Sequence, residues 1–489
     1  MDYEIVIGLE VHSQLLTQSK MFCSCAAGYQ DADPNTVVCE VCMGMPGVLP
    51  VINERAVELV IATGLALGCT IQPHTKFDRK NYPYPDLMKG YQISQYDMPI
   101  AAGGCLPVQT DDGERSVGIT RVHLEEDVAK LQHRDGAEGG YSLLDVNRAG
   151  VPLMEIVSEP DMRSPEEARA YLTKLRTILR YIKASTANME EGSFRCDANI
   201  SLRPSGSEEL GTKVEVKNMN SFRSVYDALV YEAGRQSRVL DEGGSVAQET
   251  RGWVEDRGVT VSQRSKEYAS DYRYFPEPDL PPLSIDQSWI DEVQGRLPEL
   301  PDARAERYAA DYGVPADVAG VLTASRSTSD FFESVLAAGA AGGPALQPLA
   351  RSAGNWIVGE LARLLNATGR SIDDLAFEPV RLVELIRMVD EGALSTSMAR
   401  TVFEDMFESG DAPAAVAEKR GLVQISDEGA VQAAVDEAIE SNPQPVSDYL
   451  GGRDAALGFL VGQVMRITRG KANPKVAGDL LRQRLESMR

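Results

Sequence analysis

The sequence has 489 residues, a formal net charge of −24, and 43% apolar against 25% charged residues. This composition excludes a disordered or fibrous chain, and the length predicts about three domains. The negative charge argues against a general nucleic-acid binder, because binding to phosphates needs concentrated lysine and arginine. The sequence shows no leader-like segment and no membrane-spanning apolar run, so we expect a cytoplasmic protein without membrane association.

Residues 1–297 are predicted to form an α+β domain around a largely antiparallel sheet. Helices are predicted over residues 53–67, 164–183 and 220–241, the second with Ser164 as N-cap and Pro165 as its first helical residue. Strands are predicted where short segments alternate in polarity between Gly, Pro, Asn and Asp, namely YEIVIGLEVHSQL, RSVGITRVHLEED, YSLLDVN, FRCDANISLR and GTKVEVKN. The proline-rich segment 275–283 is expected to end this domain or to cross its surface.

Four cysteines crowd into residues 23–42, after the first predicted strand. They are Cys23, Cys25, Cys39 and Cys42, in the order C-x-C, thirteen residues, C-x-x-C. Such paired spacing in a cytoplasmic chain predicts a closed, structural zinc site with no catalytic position, while four reduced buried cysteines are the alternative. The other cysteines, Cys69, Cys105 and Cys196, are spaced like core residues.

Several predicted strands carry a charged face opposite an apolar one, because side chains alternate along a strand. A sheet with one face in water would give the same pattern. The polar faces carry His, Asp, Asn, Glu and Arg rather than the Thr, Lys and Ser of a solvated sheet. This composition favours Mg²⁺ held against phosphates, and hence phosphoryl transfer. The charged faces hold Glu10, His12 and Gln14; Arg121, His123 and Glu125; Arg195, Asp197 and Asn199; and Lys213, Glu215 and Lys217.

The nucleotide site cannot be one of the common loop-based types. The sequence contains no P-loop, no G-x-G-x-x-G fingerprint and no kinase motif set, so ATP is expected on a sheet surface, clamped by metal and arginine. It also contains no G-x-S-x-G elbow and no amidase-like Gly/Ser-rich run with a lysine. An enzyme of this kind that needs ammonia must therefore obtain it from elsewhere.

The C-terminal part changes to helical periodicity, which predicts a helical domain over residues 298–409 and a helical tail domain over residues 410–489. From Arg453 onwards the tail has eight basic side chains against three acidic ones. By charge alone a solvated helical face is the simpler interpretation.

Long motifs run along most of the chain, among them IGLEVHSQL, KFDRKNYPYPDLMKGYQISQYD, GITRVHLEEDVAK, DVNRAGVPLMEIVSEPD, MEEGSFRCDANISLRP, SKEYASDYRYFPEPDLPPL and VGQVMRITRGKANP. They resemble one family, the B subunits (GatB) of the heterotrimeric aspartyl/glutamyl-tRNA amidotransferase, in the GatB/GatE family. The resemblance implies a glutamine-synthetase-like cradle domain and a YqeY-like tail that binds tRNA. It also implies ATP-dependent phosphorylation and amidation of Glu-tRNA(Gln) or Asp-tRNA(Asn), with ammonia from a glutaminase A subunit and a C subunit completing a heterotrimer.

The resemblance also assigns residues. Glu10, His12, Glu125 and Glu155 match the catalytic and Mg²⁺-binding positions. Asp197, Asn199 and Glu215 lie on strands that resemble the remaining wall of the same pocket, with Asp197 and Glu215 as further expected Mg²⁺ ligands and Asn199 as an expected nucleotide or tRNA contact. The four cysteines match a zinc site that some relatives lack. Phosphates or the tRNA acceptor end are expected at Arg79, Lys80, Asn81, Lys217, Tyr272 and Arg273, with ordinary structural hydrogen bonding as the alternative, and tRNA phosphates at Arg466, Arg469 and Lys471.

Two rival functions stay open at this point. A ligase acting on a free amino acid would explain the charged strands but not the basic tail. A non-enzymatic tRNA-binding scaffold would explain the tail and the cysteines but not those strands. The sequence also leaves open whether Glu125 or Glu126 reaches the metal, and which of the two misacylated tRNAs is the physiological substrate.

Overall fold

The computed structural model describes residues 2–134, 140–265, 272–340, 346–422, 428–468, 472 and 474–488. The chain divides into two compact units, residues 1–300 and 301–489. The first unit is mixed α/β with a large, mostly antiparallel sheet, and the second is helical where described. The predicted change from sheet to helices is confirmed. The finer three-domain division, with boundaries after residues 297 and 409, stays a prediction.

Strands dominate the first unit. They are β1 (Tyr3–Gln14), β2 (Thr70–Ile71), β3 (His74–Thr75), β4 (Asp78–Asn81), β5 (Tyr91–Ser94), β6 (Ala101–Thr110), β7 (Gly113–Glu126), β8 (Lys130–Arg134), β9 (Tyr141–Asp145), β10 (Pro152–Ser158), β11 (Phe194–Pro204), β12 (Val214–Lys217), β13 (Glu249–Val254), β14 (Val259–Ser265), β15 (Phe275–Pro276) and β16 (Leu283–Ser284). The helices are α1 (Glu54–Ala66), α2 (Pro165–Tyr181), α3 (Phe222–Asp241) and α4 (Gln287–Gly295).

Among the described residues, nine strands form the main sheet, in the order β14-β13-β12-β11-β1-β10-β7-β6-β2. Neighbouring strands are antiparallel except β12 and β13, which are parallel. The long strands β1, β7, β10 and β11 lie at its centre. Smaller sheets pair β15-β4-β5, β16-β3 and β8-β9.

Alternation along β1 explains how this sheet separates its two faces. Ile7, Leu9 and Val11 are buried in the core, whereas Glu10 and His12, which alternate with Leu9 and Val11, are only partly buried. Because successive side chains point to opposite faces, one face is apolar and the other polar. Helices α1, α2 and α3 pack on strands of this sheet and share its hydrophobic core.

Helix α2 begins where its sequence predicts. The Ser164 side chain accepts a hydrogen bond from the Glu167 backbone N–H over 3.1 Å, and Pro165 is the first helical residue. This cap satisfies one of the backbone donors that a helix start leaves without a partner. Helix α3 starts slightly later than predicted, because Ser221 rather than Asn220 is its N-cap.

The proline-rich segment crosses the surface of the first unit and does not end it. Strand β15 pairs with β4 and β16 pairs with β3, after which α4 adds Val293 to the core. The unit ends only at Leu300. One cysteine prediction is wrong: Cys105 is exposed on β6, whereas Cys69 and Cys196 are buried.

The second unit contains two separate hydrophobic clusters. Helices α5 to α12 surround the first, and the four later helices surround the second. None of the described helices of the chain is both long and apolar enough to cross a membrane. The helices are α5 (Pro301–Tyr312), α6 (Ala316–Leu322), α7 (Arg326–Ala340), α8 (Leu346–Trp356), α9 (Ala362–Thr368), α10 (Pro379–Asp390), α11 (Thr396–Ser409), α12 (Pro413–Arg420), α13 (Glu428–Ser441), α14 (Pro443–Leu450), α15 (Ala455–Ile467) and α16 (Pro474–Glu486).

Candidate functional site

The polar face of the main sheet lines a cavity of about 740 Å³ in the first unit. A cavity of this size can hold a nucleotide-sized ligand. Its walls come from the central strands of the main sheet, from β4 and β5, and from the segment before β15. The lining residues are Glu10, His12, Lys80, Tyr82, Gln92, Gln95, Tyr96, Arg121, His123, Glu125, Asp127, Val128, Leu153, Glu155, Arg195, Asp197, Glu215, Lys217, Tyr272 and Tyr274.

Strand register brings the charged side chains together. His12 on β1 lies directly opposite Glu155 on β10, and Glu155 in turn lies opposite His123 on β7. Side chains directly opposite each other on neighbouring antiparallel strands share one face and are close enough to interact. Two imidazoles and a carboxylate therefore form a row across three strands.

Two residues of this row, His12 and Glu155, form a tight cluster with Glu125. His12 Nε2 is 3.5 Å from Glu155 Oε2 and 3.6 Å from Glu125 Oε1. One ligand atom from each of these residues lies within 4.8 Å of the others. An imidazole with two carboxylates is a donor set that suits a hard divalent cation such as Mg²⁺ or Mn²⁺.

Electrostatic attraction holds the three side chains of this cluster together. Burial lowers the pKa of His12, but the carboxylates of Glu155 and Glu125 outweigh burial, so the pKa is raised from its ordinary value. Burial raises the pKa of Glu155, but His123 and His12 outweigh it and hold the pKa well below the usual range. Each shift favours the charged form of its group. The lowered pKa of Glu155 therefore favours its carboxylate form, which is the form that binds a cation.

Glu125, and not Glu126, faces this cluster. Glu125 also accepts a hydrogen bond from the Ser94 hydroxyl over 3.1 Å. Glu126, the next residue on β7, accepts instead from Lys89 Nζ over 2.5 Å and from the Ile93 backbone N–H over 2.9 Å. Of these two glutamates, Glu125 is thus the one that lies in the cluster.

A second group of polar side chains lines the cavity from β1, β11 and β12. Asn199 donates a hydrogen bond to Glu10 Oε1 over 2.9 Å. Lys217 Nζ lies 2.6 Å from Asp197 Oδ2 and 3.2 Å from Glu215 Oε1. These carboxylates line the same cavity as His12 but are not part of its tight cluster.

Two basic side chains of the cavity have no carboxylate partner in the described parts of the chain. Lys80 Nζ lies 5.1 Å from the centre of the Tyr272 ring, and neither Lys80 nor Arg121 makes an ion pair there. Burial lowers the pKa of Lys80, but nearby Glu125 and other groups outweigh it and raise the pKa. Arg195, in contrast, is held by the buried Asp127 at 3.1 Å. Lys80 and Arg121 remain able to bind an anion.

The four clustered cysteines form a second potential metal site. One sulfur atom from each lies within 4.8 Å of the others. The Cys39 backbone N–H donates to Cys42 Sγ over 3.1 Å, and the Cys39 and Cys42 sulfurs are 3.9 Å apart. Four thiolates at this spacing are compatible with tetrahedral zinc. Cys42 is buried, whereas the other three cysteines are partly buried.

Sequence comparisons identify the family of this chain. A family model described as "GatB/GatE catalytic domain" matches residues 5–291, and a second described as "GatB domain" matches residues 330–485. The chain is similar to proteins named as the B subunit of aspartyl/glutamyl-tRNA(Asn/Gln) amidotransferase. Identity is 55% to that of Dehalococcoides mccartyi strain CBDB1, over 99% of both chains. It is 55% to that of Moorella thermoacetica, over 99% of this chain and 100% of the relative. The chain belongs to the GatB/GatE family.

Not every residue that the sequence assigned to the GatB/GatE site lies in it. Arg79 lies outside the cavity, because its guanidinium binds the buried Glu277 through two hydrogen bonds of 2.7 Å. Arg79 and Lys80 are consecutive on β4, so they point to opposite sides. Asn81 is structural as well, because its side chain donates to the backbone carbonyls of Arg79 and Arg273.

The remaining assignments are placed as follows. Arg273 is exposed and does not line the cavity, although its neighbours Tyr272 and Tyr274 do. Asn199 does not line the cavity itself and contacts it through its hydrogen bond to Glu10. Arg466 lies on α15, near its C-terminal end, whereas Arg469 and Lys471 lie outside the described residues.

Part of this cavity does not follow from the sequence. His123, Arg121 and Arg195 lie on predicted charged strand faces but have no predicted role, although the alternation that selects Glu125 selects His123 equally. The tyrosines other than Tyr272 are not predicted, because aromatic residues in loops follow no period that a sequence reveals. The missed aromatic residues are Tyr82, Tyr96 and Tyr274.

Proposed function

We propose that this chain is the B subunit of a tRNA-dependent amidotransferase, a glutamine-hydrolysing ligase. It phosphorylates the side-chain carboxylate of Glu-tRNA(Gln) or Asp-tRNA(Asn) and amidates it to give Gln-tRNA(Gln) or Asn-tRNA(Asn). The observation that carries the proposal is the cluster of His12, Glu125 and Glu155, which shares one cavity with the cations Lys80 and Arg121. The full-length likeness to proteins named as such subunits supports it.

The reaction needs activation because a carboxylate is a poor electrophile. Transfer of the γ-phosphoryl group of ATP to a carboxylate oxygen gives an acyl phosphate and ADP. The ammonia nitrogen then attacks the carbonyl carbon, the carbon–oxygen bond to phosphate breaks, and the nitrogen loses a proton. The products are the amide and inorganic phosphate, so phosphate leaves where hydroxide could not.

The donor set fits Mg²⁺, which would be held by His12, Glu125 and Glu155. Glu10, Asp197 and Glu215, on the other wall of the cavity, are proposed ligands for a further ion. When bound, Mg²⁺ offsets negative charge on phosphates. The chain itself contributes Lys80 and Arg121, which bind phosphate oxygens, and tyrosines that line the cavity beside them. Lys217 is placed between Asp197 and Glu215, so it orients these carboxylates.

The chain must work with partners. The absence of amidase motifs supports ammonia supply by a glutaminase A subunit, within a cytoplasmic heterotrimer that includes a C subunit. The first 297 residues would form the glutamine-synthetase-like cradle, and residues 410–489 the YqeY-like tail that binds tRNA. Within this tail, Arg466, Arg469 and Lys471 are proposed phosphate contacts. The four cysteines are proposed to hold a structural zinc ion.

The decisive experiment measures amide formation on Glu-tRNA(Gln) with ATP and free ammonium as the nitrogen donor. The chain is assayed alone and assembled with candidate A and C subunits, as wild type and as His12→Ala. His74→Ala is the matched control, because His74 is exposed on β3 and does not line the cavity. We expect ammonium-driven amidation by wild type and by His74→Ala, and its loss in His12→Ala.

The outcomes separate the rival functions. Amidation that survives His12→Ala undiminished would refute the metal-site assignment and favour a tRNA-binding scaffold. Consumption of ATP with free glutamate, without any dependence on misacylated tRNA, would favour a ligase acting on a free amino acid. Parallel assays with Asp-tRNA(Asn) show which tRNA this enzyme accepts.

A further inference from the structure

Two tyrosines of the cavity are stacked on each other. The rings of Tyr96 and Tyr274 have their centres 4.2 Å apart and planes only 8° from parallel. Tyr272 packs edge-on against Tyr274 at 6.0 Å and against Tyr82 at 5.8 Å. The four rings form a continuous aromatic wall along one side of the cavity.

This wall is fixed in place by backbone contacts. Tyr274 directly precedes β15, which pairs with β4. The backbone N–H of Tyr96 donates to Asp78 Oδ2 over 3.3 Å, and Lys76 Nζ lies 2.6 Å from the other oxygen of Asp78. Both ends of the stacked pair are therefore anchored to the same strand, which makes the rings a preorganised surface.

The outer ring of the stack is open. Tyr96 is 52% exposed although one face of its ring is covered by Tyr274. The exposed part is thus the opposite face and the ring edge. An exposed aromatic face beside cations is the arrangement by which proteins bind a base by stacking and its phosphates by charge. Lys80 supplies such a cation, over the ring of Tyr272.

We propose that the outer face of Tyr96, backed by Tyr274, is a stacking platform for a purine ring. The inference rests on the proposed function, under which the purine is an adenine, either of ATP or of the 3′-terminal adenosine of tRNA. Both sources place an anionic phosphate chain near the base, so both fit the same wall. Stacking on a π face needs no hydrogen bonds to the base edge. The nearby glutamine amides are indeed already occupied: Gln92 donates to the Glu126 carbonyl and Gln95 to Thr75.

The test uses Tyr96→Ala and Tyr96→Phe in the assembled complex. Tyr84→Ala is the matched control, because Tyr84 is likewise 52% exposed but does not line the cavity. Binding of a non-hydrolysable ATP analogue is measured first. Binding of uncharged tRNA with and without its terminal adenosine is measured second. The KM for ATP and for Glu-tRNA(Gln) in ammonium-driven amidation, and the melting temperature, complete the set.

We expect Tyr96→Ala to weaken one of the two ligands roughly 10-fold, with a matching rise in its KM and little change in kcat. Tyr96→Phe and Tyr84→Ala should bind like wild type. Weaker binding of the ATP analogue assigns the platform to ATP. Loss of the affinity difference between complete tRNA and tRNA lacking its terminal adenosine assigns the platform to that nucleotide.

A purely structural stack gives a different result. Tyr96→Ala would then lower the melting temperature and leave both affinities and both KM values unchanged, which overturns the platform. The binding measurements do not depend on turnover. A wild-type complex that forms no amide therefore contradicts the proposed function, while Tyr96-dependent purine binding in that same complex would still support the platform.

Discussion

Glu125 and Glu126 are neighbours on β7 whose carboxylates serve opposite sides of the sheet. Glu125 faces His12 across 3.6 Å, whereas Glu126 binds Lys89 and the Ile93 backbone N–H. We therefore expect Glu125→Gln to lower affinity for Mn²⁺ at least about 10-fold, because one of three charged or imidazole ligands becomes a neutral amide. Glu126→Gln should keep that affinity. This variant should instead lower the unfolding free energy by about 2 kcal/mol, because it removes the buried ion pair with Lys89.

Titration calorimetry with Mn²⁺ and thermal melting of both variants check this pair. The adjacent position makes each variant a control for the other. Equal loss of Mn²⁺ affinity in the two variants would show that the cluster does not bind a metal through Glu125.

Metal affinity at this cluster should depend on pH. A divalent ion needs neutral His12, but Glu155 and Glu125 raise the pKa of His12 although burial lowers it. A metal ion must therefore displace a proton that is held to higher pH than on free imidazole. Mn²⁺ affinity should rise as pH increases above the ordinary imidazole pKa of about 6.5 and level off only above the raised pKa of His12. His12→Gln should bind weakly with little pH dependence, and a flat profile for wild type would contradict the assignment.

Asp127 predicts a different pH effect, on stability. Its buried carboxylate binds Arg195 at 3.1 Å and accepts from Gln14 over 2.7 Å. Burial raises the pKa of Asp127, but Arg195 and Arg148 outweigh it and lower the pKa below its usual value. Because the pKa of Asp127 is lowered in the folded state, the ionised carboxylate stabilises the fold above the unfolded-state pKa of about 3.9. This stabilisation is lost as pH falls through the folded-state pKa.

Asp127→Asn should thus lower the unfolding free energy of the first unit at neutral pH by about 2–4 kcal/mol, because Arg195 loses its buried partner. Below about pH 4 the difference from wild type should shrink. Asp112→Asn, an exposed position in the turn between β6 and β7, is the control and should change little at any pH. Urea unfolding followed by tryptophan fluorescence at several pH values measures both. A difference that grows as pH falls would reverse the sign and refute the argument.

The sequence reveals strands and their faces better than it reveals the site. Alternation alone places Glu10 and His12 on one face of β1, and the structure agrees. The row of His12, Glu155 and His123 depends on register between strands that are far apart in the chain, and no local pattern encodes that register. Alternation also separates Arg79 from Lys80, because they are consecutive residues of one short strand and only Lys80 lines the cavity.

The cysteine cluster gives the last prediction, through the buried Lys20. Lys20 is fully buried, donates from Nζ to the Val37 carbonyl over 2.8 Å, and packs with Cys42 around Gly150. The hydrogen bond between Cys23 and Cys42 lowers the pKa of the Cys42 thiol, burial raises it, and Lys20 helps to lower it. A tetrathiolate zinc site carries net negative charge, so a buried cation beside it should stabilise the loaded form.

We expect Cys39→Ser and Cys42→Ser to purify with little zinc, and a chelator to lower the melting temperature of wild type but not of these variants. Cys105→Ser, at an exposed position outside the cluster, should keep its zinc. Lys20→Met should bind zinc about 10-fold more weakly in competition with a chromogenic chelator. If Lys20 only stabilises the fold through its hydrogen bond to Val37, the zinc-free variant would melt at a lower temperature yet bind zinc with wild-type affinity. The two measurements thus distinguish packing from charge compensation.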